Sequence, residues 1–268
     1  MNRNRILPFL AAGMLFSCNE SAEKKNDEVT TTTEDTTTAA AEAPITDPEA
    51  TEVWEPEPAV VSFNDKGVPS DAIVLFDGEN LDAWESTKES VVNAPWQINQ
   101  DGSMTVVGGT GDIQTKESFG DMQLHIEWQA PQVIEGEGQG RGNSGIFLQG
   151  LYEVQVLNSY ENRTYSNGQA TAIYKQSIPL ANATKPTEQW QTYDIIYHQP
   201  EFDADGTKTK SATVTVLHNG VLVQDNTEIK GTTEYIGKPK NPAHGEGPIK
   251  LQDHGNPVSF RNIWLRKL

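Results

Sequence analysis

The sequence predicts an all-β domain, built as an antiparallel sandwich of two sheets, on three observations. Past residue 60 apolar residues recur at every second position, as in Met122–Gln129 and Ala212–Leu217. This period of two is typical of strands with one buried face. Gly-rich and Pro-rich turns separate the runs, and Asn219-Gly220 between two β-rich runs is a strong hairpin signal. Strands of this kind bury their apolar faces by packing two sheets together.

The N-terminal residues 1–18 resemble a bacterial lipoprotein signal. Arg3 and Arg5 precede an apolar run, Ile6–Phe16, that is too short to span a bilayer comfortably. The run ends in Leu15-Phe16-Ser17-Cys18, and Cys18 is the single cysteine of the chain. An ordinary secretory signal with a chance cysteine is the alternative, and this ending argues against it. We therefore expect a lipid anchor at Cys18 and a location in the bacterial cell envelope, periplasmic or on the outer-membrane surface.

Residues 19–60 predict a disordered tether between the anchor and the folded domain, residues 61–268. The segment is rich in Thr, Glu, Ala and Pro, with twelve acidic and two basic residues. So few large apolar residues cannot offset the entropy of ordering, and like charges keep the segment extended. With Cys18 used as an anchor, no cysteine is left for a disulfide, so the domain must be stable through its own core.

The formal charge of −18 limits the partners of the chain. A protein that binds nucleic acid neutralises phosphates with a basic surface, and this sequence has no basic stripe. Anionic polysaccharides are disfavoured for the same reason. Neutral carbohydrates remain as expected ligands.

Seven short blocks occur in a specific order over residues 71–268. They are Phe76–Trp84, Thr115–Met122, Asn143–Ile146, Tyr152–Gln155, Gln189–Tyr193, Leu251–Gly255 and Phe260–Ile263. Together they resemble the 3-keto-disaccharide hydrolase domain, a family long catalogued as a domain of unknown function. The chain departs from the family pattern at Asn158, where an acid is frequent, and near Gln149, where an arginine is frequent.

The resemblance implies a concanavalin A-like jelly-roll sandwich with a concave, sugar-binding sheet face. It also implies cleavage of glycosides that are already oxidised at C3, and hence a partner oxidoreductase that supplies the keto sugar. A ketone at C3 acidifies the hydrogen on C2, so a base forms an enolate that expels the group on C1 before water adds. Such an enzyme needs one base, groups that stabilise the carbonyl oxygen and a proton donor.

Glu153 and His254 are the two candidate catalytic residues. Glu153 alternates with Gln155 along one strand face, whereas Val154 and Val156 share the other face. We expect Glu153 to be a base or ligand on the groove face, the alternative being a solvated carboxylate. Imidazole exchanges protons near neutral pH, although a lone histidine near a turn, as His254 is, is more often structural.

Substrate-binding candidates are the polar residues expected on the same face or at its rim. Arg261 would face the groove if Phe260, Asn262 and Trp264 face the core, and it would then polarise the keto oxygen; an ion pair with Glu153 is the alternative. Glycines 136–142 predict a rim loop or lid that carries Arg141 and Asn143. The full set of candidates is Arg141, Asn143, Gln155, Tyr174, Gln252, Asp253 and Arg261.

A divalent metal is a further possible cofactor, because it would stabilise an enediolate. His125 and Glu127, two residues apart on one strand face, would have to join Glu153 and His254 to hold it. This pattern is weak evidence, and the sequence does not identify the ligands. The other histidines, His198, His218 and His244, are expected to be ordinary surface residues.

Three functions compete at this point. The first is an envelope-anchored enzyme that cleaves 3-keto-glycosides by elimination and hydration or by direct hydrolysis. The second is a carbohydrate-binding lipoprotein without catalytic activity. The third, a retaining glucanase, is disfavoured because the Glu153 strand supplies a single acid where such enzymes need a carboxylate pair.

Overall fold

The computed structural model describes residues 44–268, which form strands, three short 3-10 helices and connecting loops. The signal segment, the Cys18 anchor and residues 19–43 of the predicted tether lie outside the described residues. Residues 58–268 form one compact unit. Residues 44–57 are the described part of another, with a 3-10 helix over Pro48–Thr51 capped by the Asp47 side chain.

Fifteen strands are present within the described residues. They are β1 (Ile73–Phe76), β2 (Trp84–Ser86), β3 (Gln97–Ile98), β4 (Met104–Thr105), β5 (Ile113–Thr115), β6 (Met122–Gln129), β7 (Ser144–Leu148), β8 (Tyr152–Val156), β9 (Gln191–His198), β10 (Glu201–Phe202), β11 (Lys208–Lys210), β12 (Ala212–His218), β13 (Val221–Ile229), β14 (Lys250–Leu251) and β15 (Ser259–Lys267). The other two 3-10 helices are Gly138–Gly140 and Ser166–Gly168. No helix within residues 44–268 has the length and apolar character needed to cross a membrane.

The strands pair into two main antiparallel sheets. The eight-stranded sheet runs in the order β13, β12, β9, β6, β15, β4, β3, with β1 also paired to β15. The five-stranded sheet runs in the order β2, β5, β14, β7, β8, and β10 and β11 form a separate ribbon. The predicted all-β, antiparallel sandwich is therefore confirmed.

The core consists of the inward faces of the two sheets. In β6 the residues Leu124, Ile126 and Trp128 are fully buried, and in the five-stranded sheet Ile146 and Val154 are as well. The alternation of buried and half-buried positions along β6 follows the period of two read from the sequence. Each such side chain stabilises the fold by about 1.5–3 kcal/mol through burial, so this layer fixes which face of each strand remains outside.

The Asn219-Gly220 hairpin joins β12 to β13 as predicted. Asn219 has φ 53° and Gly220 has φ 80°. Positive φ at both central residues is the requirement of a tight turn whose twist matches the flanking strands. The turn thus fixes the register of the sheet edge.

The prediction that His218 is an ordinary surface residue is wrong. It is fully buried, and it follows Ala212, Val214 and Val216 on the inward face of β12. Its ring packs edge-on against Tyr193 with centroids 4.9 Å apart. Burial lowers its pKa to about 3, so the ring is neutral in the folded protein.

A β-bulge in β15 overturns the orientation expected for Trp264. The register with β6 slips between Arg261, which pairs with Glu127, and Trp264, which pairs with His125. Asn262 at the bulge has φ 47°, a left-handed conformation. Because of the extra residue, Phe260 and Ile263 point into the core, whereas Arg261 and Trp264 lie on the outer face of the eight-stranded sheet. Regular alternation correctly predicted that Arg261 faces opposite to Phe260, but it placed Trp264 on the core side with Phe260.

Candidate active site

The candidate active site lies on the face of the five-stranded sheet that points away from the core. Gly145 of β7 pairs with Gln155 of β8, and Phe147 pairs with Glu153. Since Ile146 and Val154 are buried in the core, these four residues occupy the opposite face. The structure thus places Glu153 and Gln155 on one face, as the alternation predicts.

A cleft of about 660 Å³ covers this face. Six of the candidate site residues line it: Asn143, Glu153, Gln155, Tyr174, Gln252 and His254. The remaining lining residues are Gln139, Gly140, Phe147, Tyr165, Lys175, Thr233 and Tyr235. Side chains from distant parts of the chain therefore converge, and the cleft is large enough for a small ligand.

Gly145 gives the Glu153 carboxyl group its space. A Cβ atom at position 145 would lie 2.8 Å from Glu153 Oε1 and 2.9 Å from Phe147 Cε2. Both separations are shorter than van der Waals contact, so a larger residue would displace the carboxyl group or the ring. The glycine therefore forms the floor of the cleft.

Glu153 is poised for proton transfer. Its side chain is buried, with 4% of the residue surface exposed. Burial raises its pKa to about 8; Lys250 opposes this rise and Asp112 adds to it. Lys250 Nζ lies 4.0 Å from the Phe147 ring centre and 3.6 Å from Asp112 Oδ2. A carboxyl group that titrates near neutral pH suits general acid–base chemistry.

Amide side chains surround this carboxyl group. One terminal amide atom of Gln155 lies 2.9 Å from Glu153 Oε1; as nitrogen it donates to the carboxylate, and as oxygen it accepts from the protonated acid. Asn143 donates from Nδ2 to the Gln139 carbonyl at 2.7 Å. Gln252 Oε1 is buried and has no hydrogen-bond partner within residues 44–268. An unpaired buried acceptor in a cleft is ready to receive a ligand donor.

His254 lines the same cleft. The Gln252 N–H donates to the Gly145 carbonyl at 3.0 Å, and Asn256 Oδ1 accepts from the Asn143 N–H at 2.8 Å. His254 lies between these two anchors with its side chain exposed. Glu153 pairs with Phe147 across β7 and β8, and both Glu153 and His254 line the cleft.

Three tyrosines and a lysine, here called the tyrosine rim, border the cleft beside Glu153. The Tyr174 N–H donates to the Glu153 carbonyl at 3.1 Å. Tyr165 and Tyr174 join their hydroxyl groups at 2.6 Å. Lys175 Nζ donates to the Tyr235 carbonyl at 2.6 Å. The two loops that carry these residues are thereby held together at the mouth of the cleft.

A family model described as the 3-keto-alpha-glucoside-1,2-lyase-like domain matches residues 71–266. The chain belongs to this family. The resemblance read from the seven blocks is confirmed.

Two relatives extend this result. A Bacteroides thetaiotaomicron protein named 3-keto-disaccharide hydrolase is 24% identical over 248 residues, covering 75% of this chain and 81% of the relative. The crystal structure of a candidate glycosyl hydrolase from Parabacteroides distasonis is 55% identical, with a TM-score of 0.78, and the match covers 83% of this chain and 97% of that one. The family and both relatives place the chain among glycoside hydrolase-like, carbohydrate-active proteins.

A second crystal structure from Parabacteroides distasonis, also a candidate glycosyl hydrolase, is 20% identical with a TM-score of 0.52. It covers 74% of this chain and 94% of its own. At that identity the match shows the fold alone.

Three candidate residues of this lyase-like domain do not line the cleft: Arg261, Arg141 and Asp253. Arg261 bonds through Nε to Glu127 Oε2 at 2.7 Å and stacks on the Trp190 ring at 4.0 Å, on the other sheet. Arg141 donates to the carbonyl of Gly136 in its own loop and to that of Glu161 in the loop after β8. The structure therefore does not bring Arg261 or Arg141 into the cleft that Glu153 lines.

Asp253 has a structural role in the turn that follows β14. Its carboxyl oxygens accept from the backbone N–H groups of Gly111 and Gly255, at 2.8 and 2.9 Å. Both oxygens are therefore engaged by backbone donors, and the side chain does not line the cleft. Asp253 orients the turn that presents His254.

The four-residue metal set considered from the sequence is also wrong. His125 and Glu127 lie on the outer face of the eight-stranded sheet, where His125 bonds to Asp194 Oδ1 at 2.7 Å. Burial alone would lower the pKa of His125, but hydrogen bonds to Asp194 and Glu127 raise it to about 9. No cluster of three or more metal-ligating side chains occurs within residues 44–268. Glu153 and His254 cannot share an ion with this pair across the sandwich.

The two departures from the family pattern fall outside the cleft lining. Gln149 is buried and accepts from the Tyr197 hydroxyl at 2.7 Å through Oε1. Asn158 donates from Nδ2 to Thr187 Oγ1 at 3.0 Å. Both side chains are satisfied by neighbouring residues, so they support the loops around the site.

The sequence reasoning missed Lys250, Lys175, Tyr165 and Tyr235. Lys250 stands two residues before Gln252, so the alternation that selected Gln252 applies to it equally. Lys175 follows the selected Tyr174 directly. Tyr165 and Tyr235 lie in long loops, where no local period indicates their direction.

We expect Arg261→Ala to preserve activity and to lower stability. The variant leaves kcat/KM within about twofold, because the guanidinium is on the other sheet. It lowers the free energy of unfolding by about 1.5–3 kcal/mol, since Glu127 loses a charged hydrogen-bond donor. Parallel measurements of kcat/KM and melting temperature test this. A tenfold loss of kcat/KM with an unchanged melting temperature would show that Arg261 takes part in the reaction.

Proposed function

We propose that this domain cleaves 3-keto-glycosides by removing the proton on C2, with Glu153 as the base. The observation that carries this proposal is that Glu153 is the one carboxyl group lining the cleft within residues 44–268. A conventional retaining or inverting glycosidase uses two carboxyl groups across the scissile bond. The name of the Bacteroides thetaiotaomicron relative and the family description agree with the keto chemistry.

The reaction balances with the residues present. Glu153 takes the C2 proton, and the electrons form an enolate with the C3 oxygen. When the enolate collapses, the C1–O bond breaks and the expelled oxygen takes a proton from His254. Water then adds across C1 and C2, giving the free 3-keto sugar and an alcohol. Asn143, Gln155 and Gln252 are positioned to hold the hydroxyl groups of the sugar.

Lysines replace Arg261 as the source of positive charge near the enolate. Lys250 lowers the pKa of Glu153 through its charge, and Lys175 lines the cleft beside it. A fixed positive charge in a partly desolvated cleft stabilises negative charge that develops during the reaction. The two lysine charges would therefore stabilise the enolate close to Glu153, the base.

The decisive experiment offers the purified protein a chromogenic glucoside in ordinary and 3-keto forms. We expect release of the chromophore from the keto form at least about 100-fold faster, because only that form has an acidic C2 hydrogen. Equal rates on the two forms would contradict the proposal. Saturable binding without release from either form would instead establish a carbohydrate-binding protein. A parallel assay with a chelator tests whether a divalent metal takes part.

We also propose that Cys18 anchors the domain in the cell envelope and that a sugar 3-oxidoreductase supplies its substrate. The N-terminal sequence supports the anchor. The chemistry supports the oxidoreductase, since the C3 ketone must be made before this elimination can begin.

A further inference from the structure

Lys175 carries an ammonium group without a carboxylate partner. No Asp or Glu oxygen lies within 4.0 Å of its Nζ in the described part of the chain. Its hydrogen bond to the Tyr235 carbonyl at 2.6 Å occupies one of three N–H donors. Two donors are left for a ligand.

The ammonium is enclosed by aromatic rings that face the cleft. The ring centres of Tyr235, Tyr174 and Tyr165 lie 4.3, 5.5 and 5.9 Å from Lys175 Nζ. Tyr235 is 73% exposed and Tyr165 is 40% exposed, so their faces are open to a ligand. Lys175 has φ 59°, a strained conformation for a residue other than glycine. The hydrogen bond to the Tyr235 carbonyl holds the ammonium beside the rings.

The charge of the cleft differs from the charge of the whole chain. Lys175 and His254 are its basic lining residues, and Glu153 is its acidic one. With a pKa of about 8, Glu153 is mostly protonated at neutral pH. An anionic group in the cleft therefore meets the Lys175 ammonium without facing an ionised Glu153. Salt screens exposed charges that are more than about 8 Å apart, so most of the net charge of −18 has little effect on an anion in the cleft.

We infer that the tyrosine rim is a subsite for a six-membered ring that bears a carboxylate. The rings of Tyr174 and Tyr235 stack on the ligand ring, and the Lys175 ammonium pairs with its carboxylate. Resting on the proposed function, this assigns to the enzyme glycosides with an acidic unit beside the 3-keto sugar. An aromatic acid and a uronic acid both have this chemistry. This inference concerns a single acidic unit, and it leaves anionic polysaccharides disfavoured, as the lack of a basic stripe predicts.

The test measures binding of ordinary glucosides, which carry no ketone and are not cleaved in the proposed reaction. The first pair is 4-carboxyphenyl glucoside and its neutral methyl ester, titrated into the full chain by calorimetry. We expect the acid to bind at least about fivefold more tightly at low salt, with the preference decreasing as salt rises. A second pair, a glucosyl-glucuronate and a glucosyl-glucose disaccharide, distinguishes a uronic acid from an aromatic acid as the source of the carboxylate.

Two variants and a control assign the preference to the rim. Lys175→Gln is expected to bind acid and ester equally, and Tyr235→Ala to weaken both by a similar factor. Lys238→Gln removes an exposed charge from the same loop as Tyr235 and is expected to keep the preference. Both Lys175 and Tyr235 are exposed, so melting temperatures should match the parent protein.

The inference is overturned if the parent protein shows no preference for either acid, or if Lys175→Gln retains it. A preference in one pair alone supports the inference and names the source. Cleavage of 3-keto-glucosides without any carboxylate preference would overturn this inference alone. Carboxylate-dependent binding without keto-dependent cleavage would overturn the proposed function alone.

Discussion

Glu153→Gln is expected to lower kcat/KM for a 3-keto-glycoside by about 10²–10⁴-fold, the usual contribution of a positioned general base. Glutamine has nearly the same shape and retains the contact with Gln155, but it cannot accept the C2 proton. For the parent protein, kcat/KM should rise with pH and level off above about pH 8, because burial raises the pKa of Glu153 to about 8. Steady-state rates from pH 6 to pH 9.5 test both statements.

Glu188→Gln is the matched control, since Glu188 is an exposed carboxylate outside the cleft lining. It should leave kcat/KM and its pH dependence unchanged. A Glu153→Gln enzyme that keeps a tenth or more of the parent activity would remove Glu153 from the role of base.

The same Glu153→Gln substitution is expected to stabilise the domain at alkaline pH. The folded state raises the pKa of Glu153 from 4.5 to about 8, so folding favours the protonated group. The resulting stabilisation is present below pH 4.5 and is lost as the pH rises through about 8, at about 1.4 kcal/mol per pH unit. Glutamine does not titrate, so the variant avoids this loss. The advantage of the variant should reach a few kcal/mol by pH 8.5.

Thermal unfolding of both proteins from pH 5 to pH 9 measures this difference. A domain of this size gains about 2–4 °C in melting temperature per kcal/mol, so the gap should widen by roughly 10 °C. Other titrating groups, such as His125 and His218, are common to both proteins and cancel in the comparison. A gap that stays constant with pH would show that the Glu153 carboxyl group has an ordinary pKa. Glu188→Gln should follow the parent curve.

These two predictions describe one property of the site. Glu153 is costly to ionise because Gly145, Phe147 and the surrounding loops exclude water from it. The same exclusion of water brings its pKa close to neutrality, where proton transfer is efficient. A residue that lowers the stability of the fold while serving the reaction is a common feature of enzyme sites.

The position of the catalytic face was predictable because strand alternation is a local property. Once Val154 and Val156 are assigned to the core, Glu153 and Gln155 must point the other way. The same argument places Gln252 on the outward face, and it applies equally to Lys250, two residues earlier in the chain. The period of two and the turn residues likewise predicted the all-β fold, and composition predicted the acidic N-terminal segment.

Trp264 and Arg261 show two ways in which that reasoning fails. A single left-handed residue, Asn262, inserts a bulge into β15 and reverses the side-chain order after it. Asparagine tolerates this conformation better than most residues, yet nothing in its immediate neighbours indicates that it adopts it here. Arg261 precedes the bulge and faces away from the core, as alternation predicts. It lies away from the cleft because β15 belongs to the eight-stranded sheet, and the sequence does not identify the partners of that strand.

The sequence by itself determined the strand pattern, the buried and outward faces of β8 and the family to which the chain belongs. Only the tertiary structure decided which outward residues share a cleft, and that Lys175, Tyr165 and Tyr235 meet beside Glu153. The physical reason is that alternation depends on the geometry of one strand, whereas convergence depends on sheet register and loop packing between segments up to about a hundred residues apart. The raised pKa of Glu153 was also decided by the tertiary structure, because the neighbours that desolvate the carboxyl group come from several segments.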